Sequence, residues 1–299
     1  AVELAQSVGY SGVGTVEFLV RDAEYFFLEM NPRLQVEHGI TEELTGTELV
    51  QLQIRIARGE PLPESDYRER GFAIEARVCA EDPDAGFLPA PGRIARFDPA
   101  LGPRLRIDTG VASGSVVPAD FDSLIAKVIA YGDTREEARA RLGCALRDFD
   151  LVIEGGATNK GYLLELLDAE EYKAGGVDTL WLDRWNAGRK RSTELAAEAL
   201  VLAAVLSYQE EREVKRLNFY ADAANITPEK IPPSVGQEID LTYLGKSYRV
   251  RVFASGSWQY RVHLDDQVVP ARLNASSEHA ARLVIGDRDL RVLYDITDT

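Results

Sequence analysis

The sequence predicts an α+β protein ending in a small antiparallel β-barrel-like domain with one helix. Three observations predict it. Near the start, two runs rich in aromatic and β-branched residues flank a short polar loop and lead into helical periodicity. Strand-like alternation and capped helices then interleave up to Trp185. From about Val235 the pattern becomes a series of alternating runs separated by Gly-Lys, Asp-Asp and Gly-Asp turns, the mark of a hairpin meander.

Residues 14–20 (GTVEFLV) and 25–30 (YFFLEM) read as antiparallel strands joined by the three-residue loop Asp22-Ala23-Glu24, and Pro32 ends the second strand. Leu49, Val50, Leu52, Ile54, Ile56 and Ala57 form a broad apolar stripe. With Thr47 as a cap and Gly59 and Pro61 as stops, they predict a mostly buried helix. Residues 72–80 (FAIEARVCA) alternate as a strand, Pro83 to Gly92 break the chain, and residues 125–131 (IAKVIAY) form another strand. Thr134-Arg135-Glu136-Glu137 fits a capping box opening a helix with Ala138, Leu142, Ala145 and Leu146 on one face. A short helix follows over 162–167, and residues 186–192 are polar and small enough for a linker. Leu195, Ala199, Leu202 and Leu206 recur at helical spacing. Residues 239–243, then Tyr248, Val250 and Val252 about a Gly245-Lys246 turn, begin the meander.

The chain has 299 residues, more than one hydrophobic core usually supports, so two or more domains are expected. With 34 Lys and Arg against 49 Asp and Glu, its net charge of −15 argues against nucleic acid or an anionic membrane as partner. No run approaches the ~20 apolar residues that span a bilayer, and Ala1-Val2-Glu3-Leu4 does not open a secretory signal. Cys79 and Cys144 lie in no metal-binding or redox motif and are expected to be reduced, buried thiols of a cytoplasmic protein. His38, His263 and His279 are too scattered for a zinc site. Carboxylate chemistry with hard metals remains.

A three-residue loop makes cross-strand position numbers sum to 46, which sets Glu17 opposite Glu29 on one face. Facing carboxylates repel unless something compensates. Mg²⁺ is the economical answer, because it takes a few carboxylate oxygens and shares its other positions with phosphates. Asn31 lies on the same side as a third oxygen ligand. The bland alternative is an exposed hairpin with ordinary surface glutamates. Arg33-Leu34-Gln35-Val36-Glu37-His38 alternates, so an extended backbone would put Arg33, Gln35 and Glu37 on one side, suited to an oxyanion and a proton transfer. A solvated edge strand is the bland alternative there.

The run GTVEFLV…YFFLEMNPRLQVEHGITEELTG closely resembles the biotin carboxylase family, the ATP-grasp component of biotin-dependent carboxylases. GFAIEARVCAEDPDAGFLPAPGRI from Gly71 resembles the opening of that family's C-terminal domain, and DFDSLIAKVIAYGDTREEAR and TNKGYLLELL continue the likeness to about residue 185. The implied fold is the C-terminal part of an ATP-grasp domain over 1–60 and a biotin carboxylase C-terminal domain over 61–185. After the linker, residues 193–299 resemble the domain joining carboxylase to carboxyltransferase in propionyl-CoA and long-chain acyl-CoA carboxylases, through VGQEIDLTYLGKSYRVRV and element order.

The resemblance implies that Glu17, Glu29 and Asn31 hold Mg²⁺ (or Mn²⁺) on the phosphates of ATP, with Leu19 against adenine. Arg33 matches an active-site arginine, Gln35 and the Val36 backbone match a bicarbonate pocket, and Glu37 matches the base that deprotonates bicarbonate. Arg77 matches the arginine at the biotin ureido oxygen. The implied partners are ATP, bicarbonate, a biotinylated carrier and a carboxyltransferase domain or subunit, in an oligomer. Met30 is the single methionine, so the Met-Lys biotin attachment motif is absent and the carrier is expected outside this chain. The family's long N-terminal domain and glycine-rich lid do not precede Ala1. The chain is therefore expected to be a fragment lacking the N-terminal ATP-binding part and inactive alone. Urea carboxylase, another ATP-grasp ligase, or a non-catalytic assembly module are the alternatives.

Overall fold

The computed structural model describes residues 1–63, 67–189, 195–223, 236–243, 245–264 and 267–296. They fall into two units, Ala1–Asp178 and Thr179–Thr299.

In the first unit, α1 (Val2–Ser7) precedes a hairpin of β1 (Thr15–Arg21) and β2 (Glu24–Asn31). Its turn holds two residues, not the expected three: Arg21 pairs with Glu24, and Asp22 sits at φ 55. Tight hairpins need that left-handed conformation, and Asp tolerates it. Such a register alone would set Glu17 opposite Leu28. A β-bulge intervenes, however: Phe18 pairs with Phe27 and Glu17 with Glu29. The extra residue in β2 offsets the shorter turn, so the two glutamates face each other after all.

Helix α2 (His38–Thr45) ends at Gly46 in the left-handed region (φ 68), and α3 (Leu49–Ala57) follows. Thr47 is not the cap of α3. Its first N–H, from Leu49, donates instead to Glu42 Oε1 at 2.6 Å. Nor is α3 mostly buried: it has no buried residue, and Val50 and Ile54 are exposed.

The unit continues through β3 (Phe72–Cys79), β4 (Glu81–Asp82), β5 (Leu88–Pro89), β6 (Gly92–Asp98), β7 (Leu105–Thr109), β8 (Val116–Val117), β9 (Leu124–Gly132), α4 (Arg135–Asp148), β10 (Asp150–Ile153), α5 (Lys160–Asp168) and α6 (Glu170–Ala174). Strands run β3-β9-β7 in one antiparallel sheet and β10-β6-β8 in another, with β4-β5 as a small ladder. At the start of α4, Thr134 Oγ1 accepts from the Glu137 N–H (3.2 Å) and Glu137 Oε2 accepts from the Asp133 N–H (2.9 Å). The predicted face of that helix, Ala138, Leu142, Ala145 and Leu146, is buried. Leu142, Ala145 and Leu146 share a core with Ala76, Val78, Ala126, Val128 and Ala130. Strand alternation therefore leaves Glu75, Arg77, Lys127, Ile129, Arg106 and Asp108 on the opposite face of the β3-β9-β7 sheet.

The second unit holds α7 (Trp181–Gly188), α8 (Ala196–Ala223) and the strands β11 (Gln237–Tyr243), β12 (Lys246–Gly256), β13 (Gln259–Leu264), β14 (Gln267–Ser277), β15 (Ala280–Ile285) and β16 (Arg288–Leu293). Residues 186–188 of the expected linker are helical, and 190–192 lie outside the described residues. So does the Asp265-Asp266 turn. The expected β-barrel is overturned. The six strands form an open meander in sequence order, with β11 and β16 at opposite edges and no ladder between them among the described residues. One helix suffices to cover the apolar face: Val201, Ala204, Val205 and Tyr208 pack on Ile239, Val250, Val252, Tyr260, Val262 and Leu273. The sheet buries that face without closing on itself. The core-facing stripe of α8 also differs from the predicted one, since Leu195 is exposed while Leu202 and Leu206 are only partly buried.

Both cysteines are free, but neither is buried as expected: Cys79 is half-buried and Cys144 exposed. Among the described residues no helix is long and apolar enough to cross a membrane.

Candidate active site

The hairpin supplies the first cluster. Glu17 Oε1 accepts from Asn31 Nδ2 at 2.8 Å and from Gln35 Nε2 at 3.2 Å, and Asn31 Nδ2 also reaches Glu29 Oε1 at 3.3 Å. Amide hydrogens thus bridge the two facing carboxylates and take up part of their repulsion. The two carboxylates are hard donors that fit Mg²⁺ or Mn²⁺, whereas the Asn31 amide presents its nitrogen to them and would have to turn over to offer its oxygen. Among the described residues no three His, Cys, Asp or Glu side chains converge on a cation position. A two-carboxylate set leaves coordination positions for phosphate oxygens, as Mg²⁺ prefers. Leu19 lies two residues along β1 and is exposed.

The segment after Pro32 is not extended to its end. A turn at Val36 and Glu37 leads directly into α2, with Glu37 at the N-cap position, φ −81 and ψ 9. His38 Nδ1 meets the Gln35 carbonyl at 2.8 Å and closes the turn. Arg33, Gln35 and Glu37 therefore do not share one side. Gln35 reaches back to Glu17, exposed Arg33 folds its guanidinium onto the Leu34 carbonyl (3.2 Å), and Glu37 reaches forward to β3. The turn can pack this close because Gly39 has no side chain: a Cβ there would run into Ile129 Cδ1 of β9.

The charged face of the β3-β9-β7 sheet supplies the second cluster. Arg77 pairs with Lys127 across one ladder and Lys127 with Asp108 across the next, so the three lie in one row. Arg77 Nη2 donates to Glu37 Oε2 at 2.7 Å. Lys127 Nζ donates to the Val36 carbonyl at 2.9 Å and pairs with Asp108 Oδ2 at 3.0 Å. Arg106 bonds Asp108 (2.8 Å) and the buried Glu42 of α2 (2.6 Å). Burial pushes the Asp108 carboxyl up, but hydrogen bonds from Arg106 and Lys127 outweigh it and hold the group below its ordinary value. Glu75 behaves in the opposite way. Its burial lifts the carboxyl above the ordinary range, against the pull of Lys127 and Arg77.

Glu17, Glu29, Asn31 and Gln35 thus form one hydrogen-bonded group, and Val36, Glu37 and Arg77 a second, continuous with it through the loop. Sequence reasoning missed Lys127, Glu75, Asp108 and Arg106. Two signals could have found the first two: the alternation of FAIEARVC puts Glu75 on the face of Arg77, and Lys127 is the lone charge in the apolar run IAKVIAY.

Comparison with known proteins gives concordant results. Residues 75–184 match the Biotin carboxylase C-terminal domain family, and residues 1–65 match the Carbamoyl-phosphate synthase L chain, ATP binding domain family. The second match overturns the expectation that an ATP-binding part is missing, and the expected inactivity loses its premise with it. Biotin carboxylase 1 of Bacillus subtilis is 44% identical over 190 residues, 62% of this chain and 42% of the relative. The mitochondrial methylcrotonoyl-CoA carboxylase subunit alpha of Arabidopsis thaliana is 39% identical over 217 residues, 69% of this chain and 29% of the relative. Among solved structures, the biotin carboxylase domain of Hydrogenobacter thermophilus 2-oxoglutarate carboxylase, in complex with MgADP, ADP and bicarbonate, aligns with a TM-score of 0.59 at 36% identity. That alignment covers 62% of this chain and 41% of the other. Biotin carboxylase of Campylobacter jejuni aligns at 0.58 and 34% identity, over 61% and 41%. The chain spans about two fifths of the length of the first relatives it matches. These matches support a biotin-carboxylase (ATP-grasp) domain family member.

Proposed function

We propose that these residues carry out ATP- and bicarbonate-dependent carboxylation of biotin borne on a separate carrier. One observation carries the reading: Arg77 of β3 and Glu37, 40 positions apart, meet at 2.7 Å, and the loop that carries Glu37 is itself bonded to Glu17 through Gln35. A base, a guanidinium and a hard-metal donor pair in one connected group suit a reaction in which a weak oxyanion nucleophile attacks a phosphate.

Glu17, Glu29 and Asn31 would hold Mg²⁺, which supplies charge neutralisation to the ATP phosphates. Glu37 takes the bicarbonate proton as its oxygen attacks the γ-phosphorus, giving carboxyphosphate and ADP. Arg33, with a rigid fork of donors, orients the carbonate and then the departing phosphate. Gln35 and the Val36 backbone border the anion, and Leu19 lies against adenine. Carboxyphosphate then yields CO₂ and phosphate, and phosphate removes the N1′ proton of biotin. The resulting enolate oxygen is stabilised by Arg77.

We further assign the chain to an acyl-CoA carboxylase, with residues 193–299 joining it to a carboxyltransferase. The likeness to a methylcrotonoyl-CoA carboxylase subunit over 69% of the chain supports the carboxylase class, and the role of residues 193–299 rests on the resemblance of VGQEIDLTYLGKSYRVRV and the order of elements. The test is phosphate release from ATP with bicarbonate and free biotin each omitted in turn. Release should require bicarbonate, rise with biotin, and fall by about 10²–10⁴ in Glu37→Gln, the usual worth of a general base. Release that is indifferent to bicarbonate, or untouched by Glu37→Gln, overturns the reading.

A further inference from the structure

One carboxylate beside Arg77 has no part in the chemistry above. Glu75 lies two residues before Arg77 on β3, on the same face, with its side chain only 6% exposed. Its Oε1 lies 3.5 Å from Arg77 Nε, and its Oε2 is buried with no hydrogen-bond partner among the described residues. A buried, half-satisfied carboxylate is costly to the fold, and such groups call for a reason. Lys127 of β9 and Glu37 of the loop also act on it, the first attracting and the second repelling its charge.

The guanidinium of Arg77 is thus gripped on two edges: Glu37 holds Nη2 at 2.7 Å, and Glu75 faces Nε. The two grips differ in accessibility, since the Glu37 side chain is 49% exposed and Glu75 is shut away from solvent. Under the reaction proposed above, Glu37 accepts a proton from bicarbonate and loses its charge. At that moment it releases Arg77, which must still be aimed at the biotin oxygen in the next step. We propose that Glu75 is a positioning residue, a second, buried carboxylate that keeps the Arg77 guanidinium in place when Glu37 lets go. This inference rests on the biotin carboxylase reading of the site.

Two measurements separate the inference from that reading. The first needs no turnover: the solvent-exchange rate of the Arg77 Nε–H, followed by ¹H–¹⁵N spectroscopy of the chain. Exchange should speed up about tenfold in Glu75→Gln and change little in Glu37→Gln; an unchanged rate in Glu75→Gln overturns the proposal. The second is kinetic. Glu75→Gln should lower the biotin-stimulated kcat about tenfold while KM for ATP and for bicarbonate stays within about twofold, and Glu75→Asp, which keeps the charge, should recover part of the loss. Wild-type biotin stimulation in Glu75→Gln, or a rise in both KM values together with a lower melting temperature, sinks the proposal and leaves only a structural role. Wild-type protein without bicarbonate-dependent ATP cleavage refutes the function itself and the catalytic consequence with it, while the exchange rates still decide whether Glu75 grips Arg77.

Discussion

Arg77 Nη2 donates to Glu37 Oε2 at 2.7 Å, joining a β-strand to a turn 40 residues earlier. Both side chains are half-exposed at 49%, so water screens the pair and its share of stability is small. The contact matters for what it assembles rather than for what it stabilises.

Glu37→Gln should therefore cost no more than about 1 kcal/mol in urea unfolding, the upper range for an exposed pair, whereas Arg77→Met, which also strips buried Glu75 of its partner, should cost more. Phosphate release stimulated by biotin should fall far more steeply in both. A large loss of stability in Glu37→Gln would make the pair structural.

The facing glutamates give a second expectation with opposite signs for stability and binding. Glu29→Gln removes one of two like charges set directly across a ladder, which should raise metal-free stability by about 0.2–1 kcal/mol. The same change removes a charged oxygen ligand. Mn²⁺ affinity, followed by electron paramagnetic resonance in the presence of ADP, should fall about tenfold, equivalent to ~1.4 kcal/mol. Glu17→Gln should gain less, because relief of the same repulsion is offset by weaker hydrogen bonds from Asn31 and Gln35 to a neutral oxygen.

Lys127 ties the sheet to the turn by its bond to the Val36 carbonyl and is itself buried beside Asp108. Lys127→Met should cost about 1.5–3 kcal/mol, the range for hydrogen bonds to a charged group. Amide exchange at Glu37 and His38 should accelerate beyond the global change, since the carbonyl anchoring that turn is released. Equal acceleration throughout the chain would mean that Lys127 supports the core and not the turn.

Much of this site was legible in the sequence, and the rest was hidden for identifiable reasons. The pairing of Glu17 with Glu29 was readable from aromatic and β-branched strands around a polar turn, yet by an inexact route. A two-residue turn and a bulge at Leu28 cancel, and neither is visible in residue alternation. Alternation also misplaced Glu37, because the turn at Val36 and Glu37 starts a helix before the polar pattern ends. The helix on 135–148 came out as expected since both its cap and its face are local features. Barrel closure is not local. It depends on whether the first and last strands meet, and a single helix covering the apolar face removed the need. Asp108 and Arg106 were missed for the same reason: their partners Lys127 and Glu42 lie on another strand and in a distant helix.

Acid titration should separate the two perturbed carboxylates of the sheet. Glu75 lies above its ordinary value of 4.5 in the folded protein, burial being the chief cause, so folding is penalised while the group is charged. That penalty is present above the folded value and disappears as pH falls toward 4.5. Glu75→Gln should therefore be more stable than wild type at pH 7, with the advantage shrinking as the medium is acidified toward 4.5. Asp108 has the reverse sign. Burial raises it, but Arg106 and Lys127 together bring it below 3.8, so its contribution is full above 3.8 and is lost as pH falls through the lower folded value. Asp108→Asn should flatten the acid limb of the stability curve below pH 3.8 and leave the Glu75 limb in place. Denaturant titrations of both variants across pH 3 to 7 check this, and a Glu75→Gln advantage that grew on acidification would reverse the assigned sign. A variant that is more stable at neutral pH yet slower with biotin is the combination expected of a carboxylate kept for its hold on Arg77 at the expense of stability.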